Sequence, residues 1–107
     1  MKEKDIQRQI IDYLELKGWL VIKINNVGIR KENGSYIPPR EKGISDLICC
    51  DPYGRFIAIE VKKPGNTLSD YQAILLDRVR SVKGRAIIAY SLDDVIKEIE
   101  SWINAVS

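Results

Sequence analysis

The feature that most constrains this fold is a pair of largely apolar runs, "SDLICC" and "RFIAIEVK", with only "DPYG" between them. Both runs read as strands. Because apolar residues fall on both of their alternating faces, the sheet that holds them must be covered on both sides. Pro52 suits the start of a type I turn and Gly54 the left-handed position that follows, which predicts a loop of Pro52-Tyr53-Gly54. That loop pairs Asp51 with Arg55, whereas a shorter one would pair Asp51 with Gly54 and set Asp46 opposite Ile59. In the three-residue register Asp46 lies directly opposite Glu60, and Lys62 shares their face.

The flanking segments supply the cover. Residues 3–17 read as a helix, with Ile6, Ile10, Tyr13 and Leu14 at helical spacing and Gly18 at its C-terminal cap. "WLVIKIN" (19–25) is a first strand, and 26–43 a long loop. Within that loop Asn33-Gly34 is a two-residue hairpin signal, which makes "IRKENGSYI" a small protruding flap. "SDYQAILLDRVRSV" is a helix with Tyr71, Ile74, Leu75, Val79 and Val82 on one face, ended by Gly84. "RAIIAYS" is a fourth strand. "LDDVIKEIESWINAV" is a last helix, with Leu92, Val95, Ile96, Ile99, Trp102 and Ile103 as its stripe. Trp19 and Trp102 fall in apolar patterns and are expected in the core. The order αβββαβα fits one α/β domain over residues 1–107.

Composition matters chiefly through an absence. The chain has no histidine, which removes every nucleophile pair and general base that depends on imidazole. Chemistry here must run on carboxylates, lysine, tyrosine or a bound metal. Cys49 and Cys50 are adjacent strand residues pointing to opposite faces, so neither a disulfide between them nor a zinc-type spacing is expected. No run approaches a membrane span and "MKEKDIQRQI" lacks a signal-peptide core, so a cytoplasmic protein is expected, with no membrane partner. The formal charge is only +2, so nucleic-acid binding would need local clustering of Lys and Arg.

Two like charges directly opposite on neighbouring strands are destabilising. A divalent cation between Asp46 and Glu60 would reverse that sign, and oxygen-only ligands suit Mg²⁺ or Mn²⁺. Lys62 beside the pair could hold a water or help deprotonate it. The competing reading makes Glu60 and Lys62 an ion-pair ladder at a solvated edge, with Asp46 a turn or capping residue.

At "GISD" (43–46), "EVK" (60–62) and "SDYQ" (69–72) the sequence resembles the PD-(D/E)XK nuclease superfamily, in particular its stand-alone VRR-NUC type, similar to Holliday-junction resolvases. Ser45 stands where the proline of the motif's name would be. The resemblance implies a restriction-endonuclease-like αβββαβ core, a mixed four-stranded sheet flanked by helices, and here an extra C-terminal helix. It further implies that Asp46 and Glu60, with the backbone carbonyl of Val61, ligate Mg²⁺ or Mn²⁺, and that Lys62 orients the hydrolytic water. Glu3 falls on the buried face of the first helix, where many relatives carry a metal-site acid; alternatively it complements the helix N-terminus. Gln72 matches a glutamine that points at the site in relatives, yet Ser69-x-x-Gln72 is also a capping box.

Arg30, Lys31, Arg40 and Lys42 cluster in the long loop, where they would track phosphates or simply be solvated. The expected function is a metal-dependent endonuclease on DNA, with branched or junction DNA implied by the resemblance, no organic cofactor, and a homodimer to supply two sites. The resemblance suggests a bacterial or phage-like setting. The alternatives are a nucleic-acid-binding module that does not cut, and a nuclease acting on RNA.

Overall fold

The computed structural model describes residues 1–25, 28–37 and 42–106, with side chains through 103. The hairpin forms as its turn dictates. Strands β4 (Leu47–Cys50) and β5 (Phe56–Val61) pair antiparallel, with Leu47 opposite Ile59 and Cys50 opposite Phe56. The Asp51 amide donates to the Arg55 carbonyl at 3.2 Å, and Gly54 takes the left-handed φ of 82° that closes the loop. One step past Leu47, the same register sets Asp46 against Glu60. Strand β1 (Leu20–Lys23) runs antiparallel to β4, and β6 (Arg85–Ala89) runs parallel to β5. The sheet order is β1-β4-β5-β6, mixed and four-stranded, with β5 in its interior.

Helices cover both faces. Helices α1 (Glu3–Leu16) and α3 (Leu92–Val106) lie on one, where Ile6, Ile10, Leu14, Val95, Ile99 and Trp102 pack with Leu47, Ile57, Ile59 and Val61. Leu14, Ile57 and Ile59 are fully buried, so truncating any one to alanine would cost about 2–5 kcal/mol. Trp19 and Trp102 are both buried in this core. On the other face α2 (Asp70–Ser81) packs Leu76 and Val79 over Ala58 of β5, with Ile48 of β4 and Ala86 and Ile88 of β6 half-buried against them. Beyond that cover, among the described residues, Leu20 and Ile22 of β1 and Phe56 of β5 are exposed on the same face. None of the described helices is long and apolar enough to cross a membrane.

Three local expectations are corrected. Of the expected α2 stripe, Val79 does meet the sheet and Leu75 is half-buried, but the rest of the stripe does not face inward. Tyr71, Ile74 and Val82 are exposed, while Gln72, Leu76 and Val79, spaced by four and three, turn inward. Second, α2 is not ended by a glycine in the left-handed region: Lys83 takes that conformation, with φ 73°. The Lys83 amide bonds the Arg80 carbonyl at 3.1 Å and the Gly84 amide the Val79 carbonyl at 2.9 Å, a Schellman closure. Gly84 is needed for space instead, because a Cβ there would meet Val79 Cγ1 at 2.7 Å. Third, the flap forms, but around three residues rather than two. Strands β2 (Ile29–Arg30) and β3 (Tyr36–Ile37) pair so that Lys31 meets Ser35 across Glu32-Asn33-Gly34. Neither strand packs on another element, so the flap stands off the body of the fold.

Candidate active site

Asp46, Glu60 and Lys62 converge at the carboxyl end of β5, on the face that α2 covers. Asp46 sits just before β4, held by its own backbone and side chain. Its carbonyl accepts from the Ile24 amide at 2.8 Å, and its Oδ2 accepts from the Val61 amide at 2.8 Å. Glu60 is 2% exposed, in the interior strand between β4 and β6. Lys62 Nζ stands 4.0 Å from Glu60 Oε1, a separation that leaves the ammonium only loosely paired. A solvated edge ladder is thereby ruled out, because the acid is buried and its strand is not an edge.

Gln72 joins this group from α2, and the two readings of it turn out to be compatible. Its Oε1 accepts from the Ser69 amide at 2.9 Å, closing the capping box that Ser69 Oγ completes by accepting from the Gln72 amide at 3.2 Å. Its Nε2 meanwhile donates to Glu60 Oε1 at 2.9 Å. One side chain thus caps the helix and orients the buried acid, which explains why α2 turns Gln72 inward.

Glu60 Oε2 is buried and has no hydrogen-bond partner among the described residues. Burial, and next the neighbouring Asp46 carboxylate, push the Glu60 carboxyl up from 4.5 to about 8, while Lys62 draws it down less strongly. A cation seated against Oε2 would satisfy the orphaned oxygen and relieve the repulsion together. No three acids or thiols gather into a metal-holding group among the described residues. Mg²⁺ takes one or two carboxylates and keeps its waters, so the Asp46–Glu60 pair with the Val61 carbonyl is a donor set of the right kind.

Glu3 is not drawn into this pair. Helix α1 lies on the opposite face of the sheet, and Glu3 Oε2 accepts from Asn66 Nδ2 at 3.4 Å, in the turn that follows Lys62. The helix N-terminus is closed by Asp5, whose Oδ2 accepts from the Lys2 amide at 3.2 Å. Of the basic residues, Arg30 and Lys31 sit on the flap, with the Arg30 guanidinium over Tyr36 at 5.8 Å. Arg40 lies outside the described residues. Of the three that are described, Lys42 alone borders the site, its Nζ 5.1 Å from the centroid of the Tyr71 ring. Cys49 is buried, which pushes its thiol up to about 12 and leaves it a protonated core residue.

A cleft of about 380 Å³ opens beside the carboxylates, with Asp46 and Gln72 in its wall together with Lys42, Ser45 and Tyr71. It exists because residue 43 is glycine. Gly43 has φ 78°, and a Cβ there would run into the Tyr71 carbonyl, so only glycine lets this loop lie against the first turn of α2. Tyr71 was hidden from sequence reasoning by its apolar periodicity. The signal that could have found it is adjacency: it stands between the helix cap and Gln72.

Comparison with known proteins agrees with this fold. The family model of the VRR-NUC domain matches residues 1–93. A solved structure described as a VRR_NUC domain is similar over 92% of this chain and 94% of its own, with 24% identity and a TM-score of 0.69, a likeness of fold. No curated protein matches the sequence.

Proposed function

The chain belongs to the VRR-NUC domain family, which implies a nuclease-type function, and on that premise we propose that it is a metal-dependent endonuclease hydrolysing DNA phosphodiester bonds. The observation that carries the reading is the buried Glu60 beside Asp46, with one oxygen unpartnered and an ammonium at 4.0 Å. Burying a carboxylate pair without a counter-ion costs several kcal/mol, on the order of 1–3 or more for each unsatisfied group. A ligand that neutralises the pair is the simplest reason for a fold to hold it.

Asp46, Glu60 and the Val61 carbonyl would hold Mg²⁺ or Mn²⁺, without Glu3, which bonds Asn66. When bound, such an ion supplies Lewis acidity to a phosphoryl oxygen and acidifies water. Gln72 orients Glu60. Lys62, on the strand end beside the pair, holds a water and offsets charge developing on the phosphoryl oxygens. Lys42 near the site, and Arg30, Lys31 and Arg40 in the loop before it, contribute salt-dependent contact with phosphates. Branched or junction DNA is the favoured substrate, and cutting both of its strands calls for two sites, hence a homodimer. The open sheet half at Leu20, Ile22 and Phe56 supports an interface there. We place this activity in the cytoplasm.

The test is incubation of supercoiled, linear and four-way-junction DNA with Mg²⁺, Mn²⁺ or EDTA. Cleavage is expected with either ion, none in EDTA, and a loss of about 10²–10³-fold in Lys62→Ala. Cleavage that persists in EDTA would falsify the mechanism, and binding without cleavage under any ion would make the protein a binding module.

A further inference from the structure

We propose that the cleft between residues 42–46 and the first turn of α2 is a subsite for one unstacked nucleotide of the substrate, with the base against Tyr71 and the phosphate against Lys42. The inference rests on the nuclease reading for the identity of the ligand, and on the cleft itself for its form. Tyr71 is 55% exposed although the two residues that follow it, Gln72 and Ala73, are half-buried. An aromatic ring held at the mouth of a cleft, with an ammonium 5.1 Å from its centroid, offers what a single-stranded nucleotide needs: a stacking face and a cation for its phosphate. The volume, about 380 Å³, lies in the range of small-ligand sites.

Two observations point to a ligand rather than to idle surface. Ser45 belongs to the cleft wall, is fully buried, and its hydroxyl has no partner among the described residues. Asp46 and Gln72, which form one side of the catalytic group, form one side of the cleft as well. A nucleotide seated there adjoins the carboxylates, so it is the one flanking the scissile phosphate. A paired base inside a duplex cannot reach the ring. The subsite therefore favours DNA that is unpaired or distorted where it is cut.

The experiment uses the full chain in EDTA, so that binding is read without cleavage. The probe is a 12-residue DNA oligonucleotide with 2-aminopurine at one position, alone or annealed to its complement. The single strand is expected to bind more tightly than the duplex, with its fluorescence quenched by stacking. Tyr71→Ala should weaken binding by roughly 5- to 100-fold and abolish quenching, while Tyr71→Phe keeps both. Lys42→Ala should lower the salt slope by about 0.7, the share of one phosphate on a single strand. Equal affinity in Tyr71→Ala, or no quenching with the wild-type chain, overturns the subsite. The two readings fail separately: quenching by a protein that never cuts would sink the nuclease and keep the subsite, and cutting without quenching would do the reverse.

Discussion

At neutral pH a free carboxyl group is charged, yet Glu60 is 2% exposed and faces a second acid. The protein without metal should therefore hold a proton on Glu60 up to about pH 8, where the unfolded chain releases it near 4.5. The native state then binds more protons than the unfolded state between those values, so stability falls as pH rises through that window. The slope is at most about 1.4 kcal/mol per pH unit. Thermal melts of the metal-free protein at pH 5 and pH 8 should differ in that sense, and Glu60→Gln should flatten the trend. Mg²⁺ or Mn²⁺ should raise the melting temperature more at pH 8 than at pH 5, because the cation competes with that proton. Parallel melts for wild type and Glu60→Gln would leave the pair without its supposed strain. The acids and the lysine were legible in the sequence because the hairpin turn set their register. Gln72 was legible only as an ambiguity, since spacing cannot tell that an amide serves a cap with its oxygen and a carboxylate with its nitrogen. Ser69→Ala removes the cap alone and should cost about 1 kcal/mol. Gln72→Ala also strips Glu60 Oε1 of its donor, and denaturant titration should find it about 1 kcal/mol worse.

Among the elements, α2 shows where hydrophobic periodicity misleads. Its apolar residues are spread around the helix, so two adjacent stripes compete for the sheet. Leu76 and Val79 win because they share a face with Gln72, whose contacts with Ser69 and Glu60 fix the rotation of the first turn. A polar tie at one end thus decides which apolar side is buried, and nothing in a window average registers it. The end of the same helix misleads differently. The glycine visible in sequence at 84 answers to the crowding of Val79, and the left-handed position falls one residue earlier, on Lys83. A side chain in that region is strained by about 1 kcal/mol relative to glycine. Lys83→Gly should accordingly stabilise the protein by about 0.5–1 kcal/mol, raising the melting temperature by a few degrees without touching the site. The turn of the β4–β5 hairpin is tied down by a residue that sequence reasoning used only for register. Asp51 is 4% exposed and accepts from the Tyr53 and Arg55 amides at 3.0 Å each. Burial works to raise its carboxyl, but the backbone and guanidinium of Arg55 and the Tyr53 amide outweigh it and hold the group below 3.8. That stabilisation is present above the ordinary carboxylate range and is lost as acid protonates the group.

For the whole molecule, the element order and two-sided covering followed from the strands being apolar on both faces, but the extent of the cover did not. Helix α2 sits over β5 and β6, with Ile48 of β4 at its margin, because the parallel crossover between β5 and β6 must pass there. What remains is an apolar strip, Leu20 and Ile22 on the outer strand and Phe56 on β5, running toward the hairpin turn and away from Asp46. A second copy meeting this strip by a two-fold axis would match like with like and leave both catalytic ends free for DNA. If so, sedimentation equilibrium should give twice the chain mass at micromolar concentration. Leu20→Lys and Ile22→Lys should each weaken the dimer by roughly 10²- to 10⁴-fold, the worth of two buried aliphatic side chains, because the two-fold places each change in the interface twice. Because Leu20 is 61% exposed in the isolated chain, its replacement should leave the melting temperature of the monomer almost unchanged, which separates loss of assembly from loss of fold. A monomer in the wild type at high concentration would mean that the open strip meets something other than a second copy.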